Sequence, residues 1–145
     1  MTVPSPKTVR RAAALVAVEG AASLLAAVVY VVSGFGGGDE PGMNKFGTAA
    51  WFAIIGAAVL AAAWALWTGR RWGRGIAVFA QLLLLPVSWY IAVGSHQWVY
   101  GIPLGIVALV TLVLLFSPSA VKWLGAQDPS AADDANADNS GPDTR

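Results

Sequence analysis

Residues 12–32, 48–68, 76–93 and 102–116 are four long apolar runs that take up most of this 145-residue chain. A bilayer core about 30 Å thick is crossed by roughly 20 helical residues. Where water is absent, a helix is the simplest way for a backbone to satisfy its own hydrogen bonds. The runs therefore predict an all-α, polytopic membrane protein: a four-transmembrane-helix bundle with helices at about 12–33, 48–68, 75–94 and 101–117. Composition agrees, since 57% of residues are hydrophobic, 12% are charged, and the charges fall almost entirely between or outside the runs. Residues 1–11 read as a basic N-terminal segment and 12–124 as one transmembrane domain. Residues 125–145 read as an acidic tail, with Asp128, Asp133, Asp134, Asp138 and Asp143 among small polar residues, a composition expected to be disordered.

Positively charged flanks tend to stay on the cytoplasmic side, so the placement of Lys and Arg predicts orientation. Lys7, Arg10 and Arg11 precede the first run, and Arg70, Arg71 and Arg74 lie between the second and third. The first connector, 34–47, sets Asp39 and Glu40 against Lys45, and the third, 94–100, carries neither Lys nor Arg. Both termini are expected to be cytoplasmic in a multi-pass protein of the cell (plasma) membrane, and Lys122 after the last run agrees. The first run is expected to be retained. It is longer than a signal-peptide core, contains Glu19, and ends in Tyr30-Val31-Val32 rather than at a small-residue cleavage site.

Most aromatic residues fall at run ends, where amphipathic rings anchor at the headgroup level. Tyr30, Phe46, Trp51, Trp89, Tyr90, Trp98 and Tyr100 fall toward one side, and Trp67, Trp72 and Trp123 toward the other. Trp64 lies deeper than an anchor requires. Small residues permit the close backbone approach that drives helix association in lipid. The clearest such row is Ala49, Ala53, Ala57, Ala61 and Ala65, with Gly101 and Gly105 on the fourth run and Ala13, Ala17 and Ala21 on the first. Pro86 is expected to kink the third helix at the carbonyl of Leu82. Pro103 is expected in the first turn of the fourth helix, where proline is tolerated.

Glu19 stands out chemically. At the helical rise it lies about 12 Å in from Arg11, at a depth where a charge is costly. Ser23 and Tyr30 share its face of the helix. Counting inward from the same side on the other helices reaches Gln81, Thr111 and Trp64 at similar depth. If the bundle brings them together, Glu19 exchanges hydrogen bonds with Gln81 and Thr111, and the Trp64 ring covers the cluster. Gln81, Ser88 and Ser95 also share one face of the third helix. Two readings of Glu19 follow: a protonated carboxyl binding helices together, or a carboxyl that exchanges a proton for an ion or small molecule.

Other motifs carry less. Gly36-Gly37-Gly38 lacks the Lys and Ser or Thr of a phosphate loop and reads as a flexible connector. His96, the single histidine, has no partner ligands nearby in sequence. The chain has no cysteine, which excludes disulfides, thiolate metal sites and thiol nucleophiles. No base is evident beside any membrane serine, so no enzymatic activity, metal or cofactor is expected, and no nucleic-acid partner. Arg70, Arg71 and Arg74, with Trp72 among them, are candidates for contact with anionic lipid headgroups.

In length, in its four helices and in a glutamate on the first of them, the chain resembles the small multidrug resistance transporters. Carried over, that resemblance implies that Glu19 is a shared proton and cation site. The chain departs from them in its long first connector, its acidic tail and the absence of a compact glycine motif in helix three. A closer likeness spans 74–124. Arg74-Gly75, Gln81-Leu82-Leu83-Leu84-Leu85-Pro86 and Phe116-Ser117-Pro118 are similar to segments of uncharacterised small actinobacterial integral membrane proteins, a likeness that implies no known activity.

The expected role is that of a small non-catalytic integral membrane protein: an accessory, scaffolding or regulatory component of a membrane complex. Its partners would be membrane lipids and either another membrane protein or further copies of itself. The alternative is a proton-coupled small-molecule or ion transporter acting through Glu19.

Overall fold

The computed structural model describes residues 4–37 and 44–127. Five helices follow in chain order: α1 (Lys7–Phe35), α2 (Lys45–Trp67), α3 (Arg71–Trp89), α4 (Trp98–Leu115) and α5 (Pro118–Ala126). A single wide π-helical segment, Tyr90–Gly94, prolongs α3. Four of these units, with α3 counted to Gly94, are long and apolar enough to cross a membrane. No strand occurs among the described residues. Large apolar side chains at the waist, such as Phe79 and the 70% exposed Val113, face outward, as they do in a bundle whose solvent is hydrocarbon. The chain is thus an all-α, multi-pass membrane protein.

The helices form a ring in which α1 packs on α2, α2 on α3, α3 on α4, and α4 back on α1. The α1–α2 contact is the most extensive. Its closest point is a pair of glycines: a Cβ on Gly56 would stand 3.0 Å from the Gly20 carbonyl oxygen, and one on Gly20 3.0 Å from the Leu60 nitrogen. At α2–α3, a Cβ on Gly73 would meet the Ala62 carbonyl oxygen at 2.8 Å. At α4, one on Gly101 would fall 2.7 Å from the Ala92 Cα. The core that these approaches close includes Val16, Val59, Leu66, Ala77, Leu115 and Leu124.

The alanine row on α2 does not form one contact face. Ala49 and Ala65 are buried, whereas Ala57 and Ala61 are exposed. A row at four-residue spacing drifts about 40° around a helix at each step, so this one begins buried at Ala49, crosses the outer surface at Ala57 and Ala61 and ends against Gly73 of α3 at Ala65. The inward row is Ala49, Gly56, Val59, Ala63 and Leu66, spaced by sevens, threes and fours.

Helix limits also depart from expectation. α1 begins at Lys7, within the segment expected to be only a basic extension, and its Val9 is fully buried. α4 begins at Trp98, which puts Pro103 in the second turn rather than the first. α3 starts at Arg71, ahead of the expected 75, and runs through Pro86 to Gly94 as expected, its last five residues in the wider π form. The helix α5 was not anticipated. Ser117 caps it, accepting from the Ala120 N–H at 3.4 Å, and Pro118 occupies its first turn. Of the tail expected from residue 125, the first two residues are helical, and 128–145 lie outside the described residues.

One end of the bundle gathers the N-terminus of α1, the α2–α3 turn and α5. The hydroxyls of Thr8 and Ser119 are 2.9 Å apart, and the Arg10 guanidinium lies 5.2 Å from the Trp67 ring centre. The turn closes as a Schellman motif: the Arg70 N–H donates to the Ala65 carbonyl at 2.7 Å and the Gly69 N–H to that of Leu66 at 3.2 Å. Gly69 has φ +79°, and a Cβ there would stand 2.8 Å from the Trp123 ring. Glycine answers both demands.

These contacts set up a paired expectation. Gly101→Val inserts bulk against backbone and should cost about 1–3 kcal/mol. Gly75→Ala, at a helical site with nothing within 4 Å of the new Cβ, should be neutral or stabilising by up to about 1 kcal/mol. Thermal unfolding of the purified variants in one detergent checks both; equal effects would contradict the close α4 approach.

Candidate functional site

The polar layer lies one helical turn from the core. Glu19 follows Val16 by three residues on α1, Gln81 follows Ala77 by four on α3, and Thr111 precedes Leu115 by four on antiparallel α4. The Gln81 side-chain amide donates to Glu19 Oε2 at 2.5 Å, joining the two helices that face each other across the ring. Gln81 and Thr111 are fully buried, and Glu19 is half-buried. Glu19 Oε1, Gln81 Oε1 and Thr111 Oγ1 are buried without a hydrogen-bond partner, so of the two bonds expected of Glu19 the one to Gln81 forms and the one to Thr111 does not.

This layer is rich in acceptors. Beyond the amide bond, the donor that the pair itself supplies is the second Gln81 N–H. Its hydrogen bonding therefore depends on whether Glu19 carries a proton. An unsatisfied buried polar atom costs about 1–3 kcal/mol, so three of them make the layer an expensive feature of a bundle otherwise packed with alanine, valine and leucine.

The other expected members sit elsewhere. Ser23 donates to the Phe52 carbonyl at 2.9 Å, and Tyr30 stacks on the Phe52 ring at 5.7 Å between centres. The polar face of α1 is thus divided, with Glu19 reaching α3 and the outer part engaging α2. Trp64 is a correction. It is 55% exposed, because one residue beyond core-facing Ala63 turns it about 100° outward, and its ring lies under the Arg70 guanidinium at 4.9 Å. It does not cover the layer. Ser88 is buried but donates to the Leu85 carbonyl of its own helix at 2.7 Å, and Ser95 is exposed. His96 is exposed with φ 56°.

The three arginines also part company. Arg70 turns toward Trp64 on α2, whereas the Arg74 guanidinium lies 5.1 Å from the Phe116 ring centre, on the side of α4. Arg71 and Arg74 border a surface groove of about 420 Å³ between α3, the end of α4 and α5. Sequence reasoning missed this groove because it missed α5. The available signal was Ser117-Pro118, a capping pair directly after an apolar run.

No protein-family model, curated protein or solved structure matches the chain.

The Glu19–Gln81 bond should be measurable as coupling. In a double-mutant cycle of Glu19→Leu and Gln81→Leu, unfolding by a denaturing detergent should give an interaction energy of about 0.6–1.7 kcal/mol. Strictly additive single-site effects would mean that the two side chains do not act together.

Proposed function

We propose that this chain is a non-catalytic component of a larger membrane assembly, holding or regulating a partner through its lipid-facing surface. The observation that carries this reading is the outward turn of the α2 alanine row. Ala57 and Ala61 are exposed in mid-span, where nothing within the chain approaches closely. Small residues there cover little acyl chain but let another helix come near. Lys7, Arg10, Arg11, Arg70, Arg71, Arg74 and Lys122 belong to the segments gathered at the α5 end of the bundle, which supports both termini being cytoplasmic and a plasma-membrane location.

The test is crosslinking in the native membrane, gentle extraction, and quantification of co-purifying proteins for the wild type, Ala57→Leu and Glu19→Gln. Ala57→Leu should leave the monomer's own packing intact and lower recovery of a stoichiometric partner severalfold. Glu19→Gln should lower it less. Recovery unaffected by Ala57→Leu, or only self-association in the wild type, would sink the assembly reading.

A second reading rests on a different observation, a carboxyl within the membrane span that is bonded to Gln81 through one oxygen and has the other buried without a partner. Intramembrane carboxyls often mark proton or ion paths, and here Glu19 would carry a proton exchanged for an ion or small molecule. Proton flux across vesicles containing the protein, driven by an imposed gradient, should collapse in Glu19→Gln while the variant still folds. Flux that persists would remove Glu19 from any transport mechanism.

A further inference from the structure

The groove at the basic end joins two kinds of surface that seldom meet by accident. It is lined by Arg71 and Arg74 together with apolar side chains that include Phe116 and Val121. Its sides are opened by two glycines: nothing lies within 4 Å of a Cβ built on Gly75 of α3 or Gly125 of α5. Both are helical positions, where glycine is less favourable than alanine by roughly 0.5–1 kcal/mol. At these two sites the missing side chain leaves room. The groove, about 420 Å³, lies open along the surface rather than enclosing its contents.

We propose that this groove binds one anionic phospholipid, its phosphate between the Arg71 and Arg74 guanidinium groups and an acyl chain laid along Phe116 and Val121 past the two glycines. Charge complementarity selects the occupant. A planar guanidinium grips phosphate oxygens in pairs, and Arg71 and Arg74 share this groove with Val78, Phe116, Val121 and Leu124. The Phe116 ring beneath the Arg74 guanidinium, at 5.1 Å, holds that cation at the groove. A zwitterionic lipid fits the apolar wall equally well but sets its own ammonium against the same arginines. Arg70 supplies the internal contrast. It has the same charge and is separated from Arg71 by one peptide bond, yet it is directed to Trp64 on α2 and does not line the groove.

The proposal is tested by reconstituting the full chain into phosphatidylcholine vesicles containing a minor fraction of phosphatidylglycerol, extracting it gently, and counting retained lipids by native mass spectrometry. The wild type should retain phosphatidylglycerol well beyond its share of the vesicle. Arg74→Gln should lower that retention about fivefold, the loss of one cation contact near the surface. Gly75→Leu, which fills the groove without altering charge, should lower it at least as far, while Arg70→Gln leaves it near wild type. Thermal unfolding confirms that each variant folds, and Val121→Trp replaces Gly75→Leu if that variant does not. Four results would overturn the proposal. They are equal retention of the two lipids, equal losses for Arg70→Gln and Arg74→Gln, full retention in the groove-filling variants, and displacement of the lipid by soluble glycerol phosphate. The second would mark general surface charge, and the last a phosphate site in which the acyl chain takes no part.

Discussion

Close backbone approach at glycine is the constraint on which this bundle rests. Hydrocarbon solvates leucine as well as another helix does, so burying apolar side chains gives membrane helices little reason to associate. Dispersion contacts between backbones must take over, and they require small residues at the crossing points. Gly20 and Gly56 bring α1 onto α2, Gly73 brings α3 against Ala62 of α2, and Gly101 brings α4 against Ala92. The polar layer is a consequence. Glu19 and Gln81 sit on helices that are not neighbours in the ring, and two long side chains span the gap that the close crossings around it keep narrow.

Much of this was legible in the sequence because the bilayer imposes one length on every crossing. The apolar runs give the four spans, and their common ends let depth be counted on each helix, which pairs Gln81 with Glu19 as the structure does; Thr111 has the depth and the burial but not the bond. Depth is only one coordinate. Trp64 shares that depth but points outward, because its angle around α2 is fixed by Ala63 and Leu66, and no count from the membrane surface contains that angle. The alanine row misled for the same reason: four-residue spacing is near enough to the helical period to look straight and far enough from it to wind. The starts of α1 and α4 and the whole of α5 lie in polar or mixed sequence. There the apolar signal fades and local capping decides.

Three of the charges at the basic end rest on aromatic rings. Arg10 lies over Trp67, Arg70 over Trp64 and Arg74 over Phe116. A guanidinium resting on a ring keeps its charge near the interface while its stem covers apolar surface. The same arrangement sends neighbouring arginines to different faces, so a cluster that is continuous in sequence becomes separate surfaces in space.

The clasp formed by α5 bears on how the protein is made. The broad α1–α2 contact is local along the chain, a hairpin that can pair as soon as both helices have entered the membrane. Thr8 and Ser119 are 111 residues apart, and their bond waits for the fourth crossing to be finished. Trp123, settling over Gly69, then covers a turn formed much earlier. The contacts thus divide by reach along the chain: the opening hairpin is held by neighbours in sequence, whereas the last described helix ties the first to a segment that no local pairing could supply.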